Sequence, residues 1–179
     1  MLQKLKENIG YYFLERKITK VERIPAFLNL EEAKTIGIIA HIVTIEDNKI
    51  ILEFVKWLQQ KNKQIHILVL LDNEELTHTF PAGNFNLFFS KKNLSWFGKP
   101  RKIQYESFIQ TPFDILIDTT LLPIMTIQYI FGLSKARFKV GKFYEEHAYA
   151  DFMIRLKPDD TLPFFIEQIK HYLTQINQQ

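Results

Sequence analysis

Three runs in this chain, residues 35–41 (Thr-Ile-Gly-Ile-Ile-Ala-His), 65–71 (Ile-His-Ile-Leu-Val-Leu-Leu) and 113–119 (Phe-Asp-Ile-Leu-Ile-Asp-Thr), are mostly apolar and rich in β-branched side chains. None alternates cleanly between apolar and polar. A strand of that kind needs cover on both faces, which is the condition inside a parallel sheet. Between the first two runs, Thr44 opens a helix with Asp47 three residues later, a variant of the capping box. That helix carries Ile51, Phe54, Val55 and Leu58 on one stripe and Lys49, Glu53, Lys56 and Gln60 largely outside it. Strand, amphipathic helix and strand within about 35 residues make a βαβ unit.

The remaining segments extend the pattern. Residues 86–90 read as a third strand, 97–100 (Phe-Gly-Lys-Pro) as a turn, and 103–109 as a short helix or strand. After Thr120 a helix is expected with Pro123 in its first turn and Gly132 at its end, apolar almost all round and therefore buried. Ala136, Phe138 and Val140 alternate with Arg137 and Lys139, which predicts a strand with one wet face, and residues 151–156 suit one more strand. A closing helix from about Asp160 carries Leu162, Phe165, Ile166, Ile169, Leu173 and Ile176 as a stripe. At the other end Leu2, Leu5, Ile9, Tyr12, Phe13 and Arg16 recur at helical spacing. Residues 1–20 are thus expected to form an amphipathic helix that docks on a domain of residues 21–179, with a membrane surface as the alternative partner for its apolar face.

These elements predict an α/β fold: a single Rossmann-like domain with a mainly parallel sheet of five or six strands and helices on both faces. The chain of 179 residues is long enough to bury a core without disulfides or metal. It has no cysteine, which excludes disulfides, thiolate zinc sites and a cysteine nucleophile. No apolar run reaches the ~18 residues that span a bilayer, and Lys4, Lys6 and Glu7 interrupt the start where a signal peptide would be apolar. A cytoplasmic protein without a transmembrane segment is the expectation.

Open parallel sheets bind ligands outside the carboxyl ends of their strands, where the strand order reverses. In a 3-2-1-4-5 order the first and fourth strands flank that point. The rule selects His41, Thr44, Asp72, Asp118, Thr119 and Thr120 as a ligand-binding crevice, with His41 and Asp118 facing each other. Imidazole and carboxylate there would hydrogen-bond a ligand or relay a proton. The structural alternative is that such residues cap the following helices and bond to loop backbone. Charge marks a second region. The chain has 23 basic and 20 acidic residues, yet Lys91, Lys92, Lys99, Arg101 and Lys102 fall in one stretch without an acid. Trp96 and Phe97 lie among these cations, a composition that suits an anionic ligand or single-stranded nucleic acid. It also suits a surface loop pinned to the core by its aromatic pair. Glu145, Glu146, His147 and Asp151 hold the densest set of metal-ligand atoms but read as a solvated loop, so no metal is expected. Neither G-x-G-x-x-G nor a P-loop occurs, and G-x-S-x-G and H-E-x-x-H are missing as well. No cofactor and no catalytic residue is assigned.

The stretch 113–118, the apolar helix after it, and 132–141 (Gly-Leu-Ser-Lys-Ala-Arg-Phe-Lys-Val-Gly) together resemble the N-terminal half of family 9, heptosyltransferase-type glycosyltransferases. The resemblance implies a Rossmann-like domain from a two-domain enzyme, whose N-terminal half binds the acceptor and whose C-terminal half mainly binds the nucleotide-sugar donor. This chain has the length of about one half. Ile42-Val43-Thr44 stands where those enzymes carry a Gly-Asp motif, so no catalytic residue is carried over. The chain as a whole resembles a family of small, uncharacterised Bacteroidota proteins, through residues 91–100 and 113–118, and that family implies no activity. Two functions follow as expectations. One is a non-catalytic binding or adaptor domain that meets an anionic macromolecule or ligand, or a protein partner, through its basic aromatic segment. The alternative is a glycosyltransferase-like enzyme or enzyme remnant working in the strand-end crevice.

Overall fold

A computed structural model of the chain describes residues 2–72, 75, 86–90, 92, 94–96, 98–101 and 104–176. Among them the elements run α1 (Leu2–Ile18), β1 (Thr35–Ile42), α2 (Ile45–Gln60), β2 (Gln64–Leu71), β3 (Asn86–Phe89), α3 (Gln104–Gln110), β4 (Ile115–Asp118), α4 (Met125–Leu133), β5 (Phe138–Lys142), β6 (Phe152–Ile154) and α5 (Leu162–Gln175). The six strands form one sheet in the order β3-β2-β1-β4-β5-β6, and every neighbouring pair is parallel. The three apolar runs of the sequence sit side by side at its centre, with Ile36 opposite both Ile65 and Ile115.

Alternation along the strands divides the interior in two. Ile36, Ile38, Ala40 and Ile42 of β1 join Ile65, Ile67, Val69 and Leu71 of β2 in a core roofed by α2 and α5, where Phe54, Leu58, Phe165 and Ile169 are buried. Ile39, Leu68, Leu70 and Leu116 point the other way, into a core shared with Leu14 of α1, Phe108 of α3 and Ile127 and Ile130 of α4. The sheet is therefore covered on both faces, which is why its central strands read as continuous apolar runs. Thr44 Oγ1 accepts from the Asp47 N–H at 3.1 Å and Asp47 Oδ2 accepts from the Thr44 N–H at 2.9 Å, so the expected capping box starts α2.

Three expectations need correction. The strand expected to have a wet face, β5, lies between β4 and β6, and Lys139 is buried because its ammonium donates to the Gly132 carbonyl at 3.0 Å. Pro123 precedes α4 instead of sitting in its first turn, and residues 119–124 form a loop held by side chains from elsewhere. On α1 the docked residues are Tyr11 and Leu14, with Ile18 packed beside them, whereas Leu5, Tyr12 and Phe13 from the expected docking stripe are exposed. Among the described residues, no helix is long and apolar enough to cross a membrane.

Candidate ligand crevice and basic segment

The chain leaves β1 for α2 on one face of the sheet and leaves the adjacent β4 for α4 on the other. That divergence puts the switch point of the sheet at the carboxyl edge between β1 and β4, where the strand-end rule looks for a ligand. Parallel register sets Ile39 beside Asp118, and the Thr119 N–H and Oγ1 both donate to the Ile39 carbonyl at 3.0 Å. His41 continues β1 past that point. Its Nε2 lies 3.2 Å from Asp72 Oδ1 at the end of β2, in a partly exposed pair, and Thr44 caps α2 beside it.

Asp118 is engaged elsewhere. Its Oδ1 accepts from the Thr120 N–H at 2.9 Å and from Thr120 Oγ1 at 2.7 Å, while Oδ2 accepts from Gln128 Nε2 at 3.2 Å. The structure thus pairs His41 with Asp72, and Asp118 with Thr120 and Gln128. Burial, the largest influence, pushes the Asp118 carboxyl up to about 6 against the opposing pull of the Thr120 and Gln128 hydrogen bonds. The loop that follows is gripped from several sides. The Tyr144 hydroxyl donates to the Thr120 carbonyl at 3.0 Å, Lys142 Nζ to the Leu121 carbonyl at 2.8 Å, and the Tyr11 hydroxyl to the Pro123 carbonyl at 3.4 Å. Burial raises the Tyr144 hydroxyl above its ordinary range and the Tyr11 hydroxyl to about 12, so both remain donors at neutral pH. The loop between β4 and α4 is consequently held in one arrangement.

Sequence reasoning missed these anchors. Lys142 ends β5 and Tyr144 lies just beyond it, so the strand-end rule applied to that strand would have found both. Gln128 projects from an apolar helix, where a lone amide signals a buried hydrogen-bond partner. Tyr11 reaches across 112 residues and leaves no local signal.

The basic segment forms a turn seated on the start of α4. Leu94 and Pro100 make an antiparallel bridge, the Gly98 N–H donates to Ser95 at 3.0 Å, and Thr126 Oγ1 donates to the Gly98 carbonyl at 2.7 Å. Gly98 has φ +87°, and a Cβ there would lie 3.3 Å from Met125 Cγ, so both backbone and space call for glycine. Lys92 and Arg101 are exposed, and Trp96 is 59% exposed, so its indole is not a core anchor. Lys99 Nζ stands 6.0 Å from the centre of the Tyr129 ring. Lys91, Phe97 and Lys102 lie outside the described residues. Of the acidic cluster near residue 147, His147 turns to Glu15 at 3.1 Å and Asp151 to Arg23. Among the described residues no three His, Asp or Glu side chains come together in a way that would hold a metal ion.

An all-parallel sheet in this order, with helices on both faces and a reversal of strand order between β1 and β4, defines a Rossmann-like domain. The chain belongs to the DUF6913 family, a family of unknown function, whose model matches residues 6–176. No curated protein matches it. Among solved structures it is similar to the glycosyl transferase family 9 protein from Veillonella parvula DSM 2008, at 14% identity and a TM-score of 0.51. The match covers 84% of this chain and 43% of that one, so the matched part spans less than half of that transferase. At such identity the likeness concerns the fold.

Proposed function

We propose that this chain is a ligand-binding domain that meets an anionic partner beside the carboxyl edge of its sheet, through Lys92, Trp96, Lys99 and Arg101. The observation that carries the reading is the exposure of Trp96, 59%, in a turn fixed to α4 and flanked by cations. An indole that anchored the loop would be covered. Lys91 and Lys102 add charge to the same segment by sequence. Binding is favoured over catalysis because Asp118, the carboxylate that ends β4, is enclosed and accepts three hydrogen bonds.

Titration with a single-stranded oligonucleotide and with an acidic polypeptide, at several salt concentrations, tests this. Each phosphate contact removed by Lys92→Ala, Lys99→Ala or Arg101→Ala is expected to lower the salt slope by roughly 0.7 to 0.9, and Trp96→Ala to cost a further ~1 to 3 kcal/mol where a base stacks. No binding at low salt to either polyanion or to anionic lipid vesicles, or equal binding by the triple alanine variant, would refute the reading.

A second reading has the fold likeness in its favour: a glycosyltransferase-like half that binds an acceptor in the crevice and receives the donor half from a partner chain. The isolated chain is expected to turn over no activated sugar. Turnover by the purified protein that disappears in His41→Ala would displace the binding reading.

A further inference from the structure

Helix α1 is apolar on two opposite sides. Tyr11, Leu14 and Ile18 face inward, and the contact with α4 is tight enough that a Cβ on Gly132 would come within 2.7 Å of Ile18 Cδ1. At 100° per residue, Leu5, Ile9, Tyr12 and Arg16 fall on the opposite stripe with Phe13 beside it. Leu5 is 57% exposed, Tyr12 55% and Phe13 49%. Docking on the domain accounts for the first set and leaves Leu5, Tyr12, Phe13 and Arg16 exposed, with Ile9 half-buried between them.

The two flanks of the same helix reach different partners. On one, Glu15 turns to His147 in the loop after β5. On the other, Lys17 donates to the Tyr129 hydroxyl at 2.9 Å, and its ammonium lies 5.5 Å from the ring centre over which Lys99 also stands. Tyr129 thereby joins the cationic flank of α1 to the basic turn, although the two are some 80 residues apart in sequence. Arg16 lies over the Tyr12 ring at 5.3 Å, and a broad open depression at the end of the helix is lined by Phe13, Arg16, Lys17, Thr19 and Lys20, with Glu15 the one acid among three cations.

We infer that the outer face of α1, together with the adjoining basic turn, docks on an anionic lipid surface. The inference rests on the anionic-partner reading and names that partner. Cations level with lipid phosphates, and aliphatic and aromatic side chains entering the acyl boundary, are what an interfacial helix presents. Leu5 and Ile9 decide between lipid and nucleic acid: aliphatic side chains gain from a hydrocarbon boundary and provide no platform for a base. The stripe from Leu5 to Arg16 covers about 16 Å, enough to lie along a bilayer and too short to cross it.

Sedimentation of the full chain with vesicles tests this, comparing pure phosphatidylcholine with phosphatidylcholine containing about one third phosphatidylglycerol. Wild type is expected to sediment with the anionic vesicles and not with the neutral ones, and to be released by salt. Leu5→Ser/Tyr12→Ser/Phe13→Ser and, separately, Arg16→Glu/Lys20→Glu are each expected to weaken partition by about tenfold or more, with the far-ultraviolet circular dichroism of wild type retained. Oligonucleotide titration of the same proteins separates this inference from the reading beneath it. Oligonucleotide binding without vesicle binding overturns the lipid surface and leaves the anionic reading standing. Loss of oligonucleotide binding in the serine variant, or vesicle binding undiminished by either variant, also overturns it. Failure to bind either ligand overturns both. Vesicle binding with no affinity for the oligonucleotide supports a lipid surface as the anionic partner.

Discussion

At the scale of single residues, two buried ionisable groups pull the pH dependence of stability in opposite directions. Asp118 titrates near 6 in the folded chain against an ordinary value of 3.8. Between those values the folded protein keeps a proton that the unfolded chain has lost, so the Asp118 contribution to stability falls as pH rises from about 4 to about 6, by about 3 kcal/mol in all, opposed by His66, whose imidazole pKa is lowered by burial. Lys139 behaves oppositely. Burial, followed by the Arg23 charge, lowers its ammonium to about 7. Above that pH the unfolded chain holds the extra proton, and stability rises toward pH 10.5. Urea unfolding over a pH series is expected to show both slopes. Asp118→Asn should flatten the first, since an asparagine oxygen still accepts from Thr120 and Gln128 can turn its amide to match. Lys139→Met should flatten the second. Ile117, fully buried at the centre of β4, is a plainer case: Ile117→Ala should cost roughly 2 to 5 kcal/mol, and a loss under about 1 kcal/mol would place it outside the core.

At the scale of elements, glycines show how tightly the layers meet. A Cβ on Gly37 of β1 would fall 2.8 Å from both Leu116 and Phe113, so Gly37→Ala should destabilise the sheet by about 1 to 3 kcal/mol through overpacking. Gly132 does the same for α1. Gly132→Val should lift the helix off α4 and abolish amide protection in Leu2–Ile18 while the sheet stays protected, as hydrogen exchange would report. The central strands were legible because burial on both faces writes itself as a local apolar run. The orientation of α1 was not. Both of its sides are apolar, and the side that docks is decided by partners distant in sequence: Gly132 against Ile18, the Pro123 carbonyl for Tyr11 and the Tyr129 hydroxyl for Lys17. The wet face expected for β5 failed for a related reason: alternation records a polar side chain, and cannot distinguish solvent from a helix-end carbonyl waiting to receive Lys139.

At the scale of the whole molecule, the architecture was legible and the site only in outline. Strand-end residues could be named because topology fixes where strands end, but their pairing depends on side-chain direction. His41 and Asp118 each found a nearer partner, and the loop between Asp118 and α4 is held by Tyr11, Lys142 and Tyr144, which no short motif connects. The same strand order has a consequence for the chain during its synthesis. β1 and β2 are translated together and can pair early, but β1's other neighbour, β4, is encoded roughly 70 residues further on, several seconds of elongation at ordinary ribosomal rates. For that interval a central, largely apolar strand presents an unpaired edge, a template for neighbouring nascent chains on a polysome. A chaperone that holds the half-made sheet would find its substrate there, and would be released when residues 115–118 emerge and close the gap.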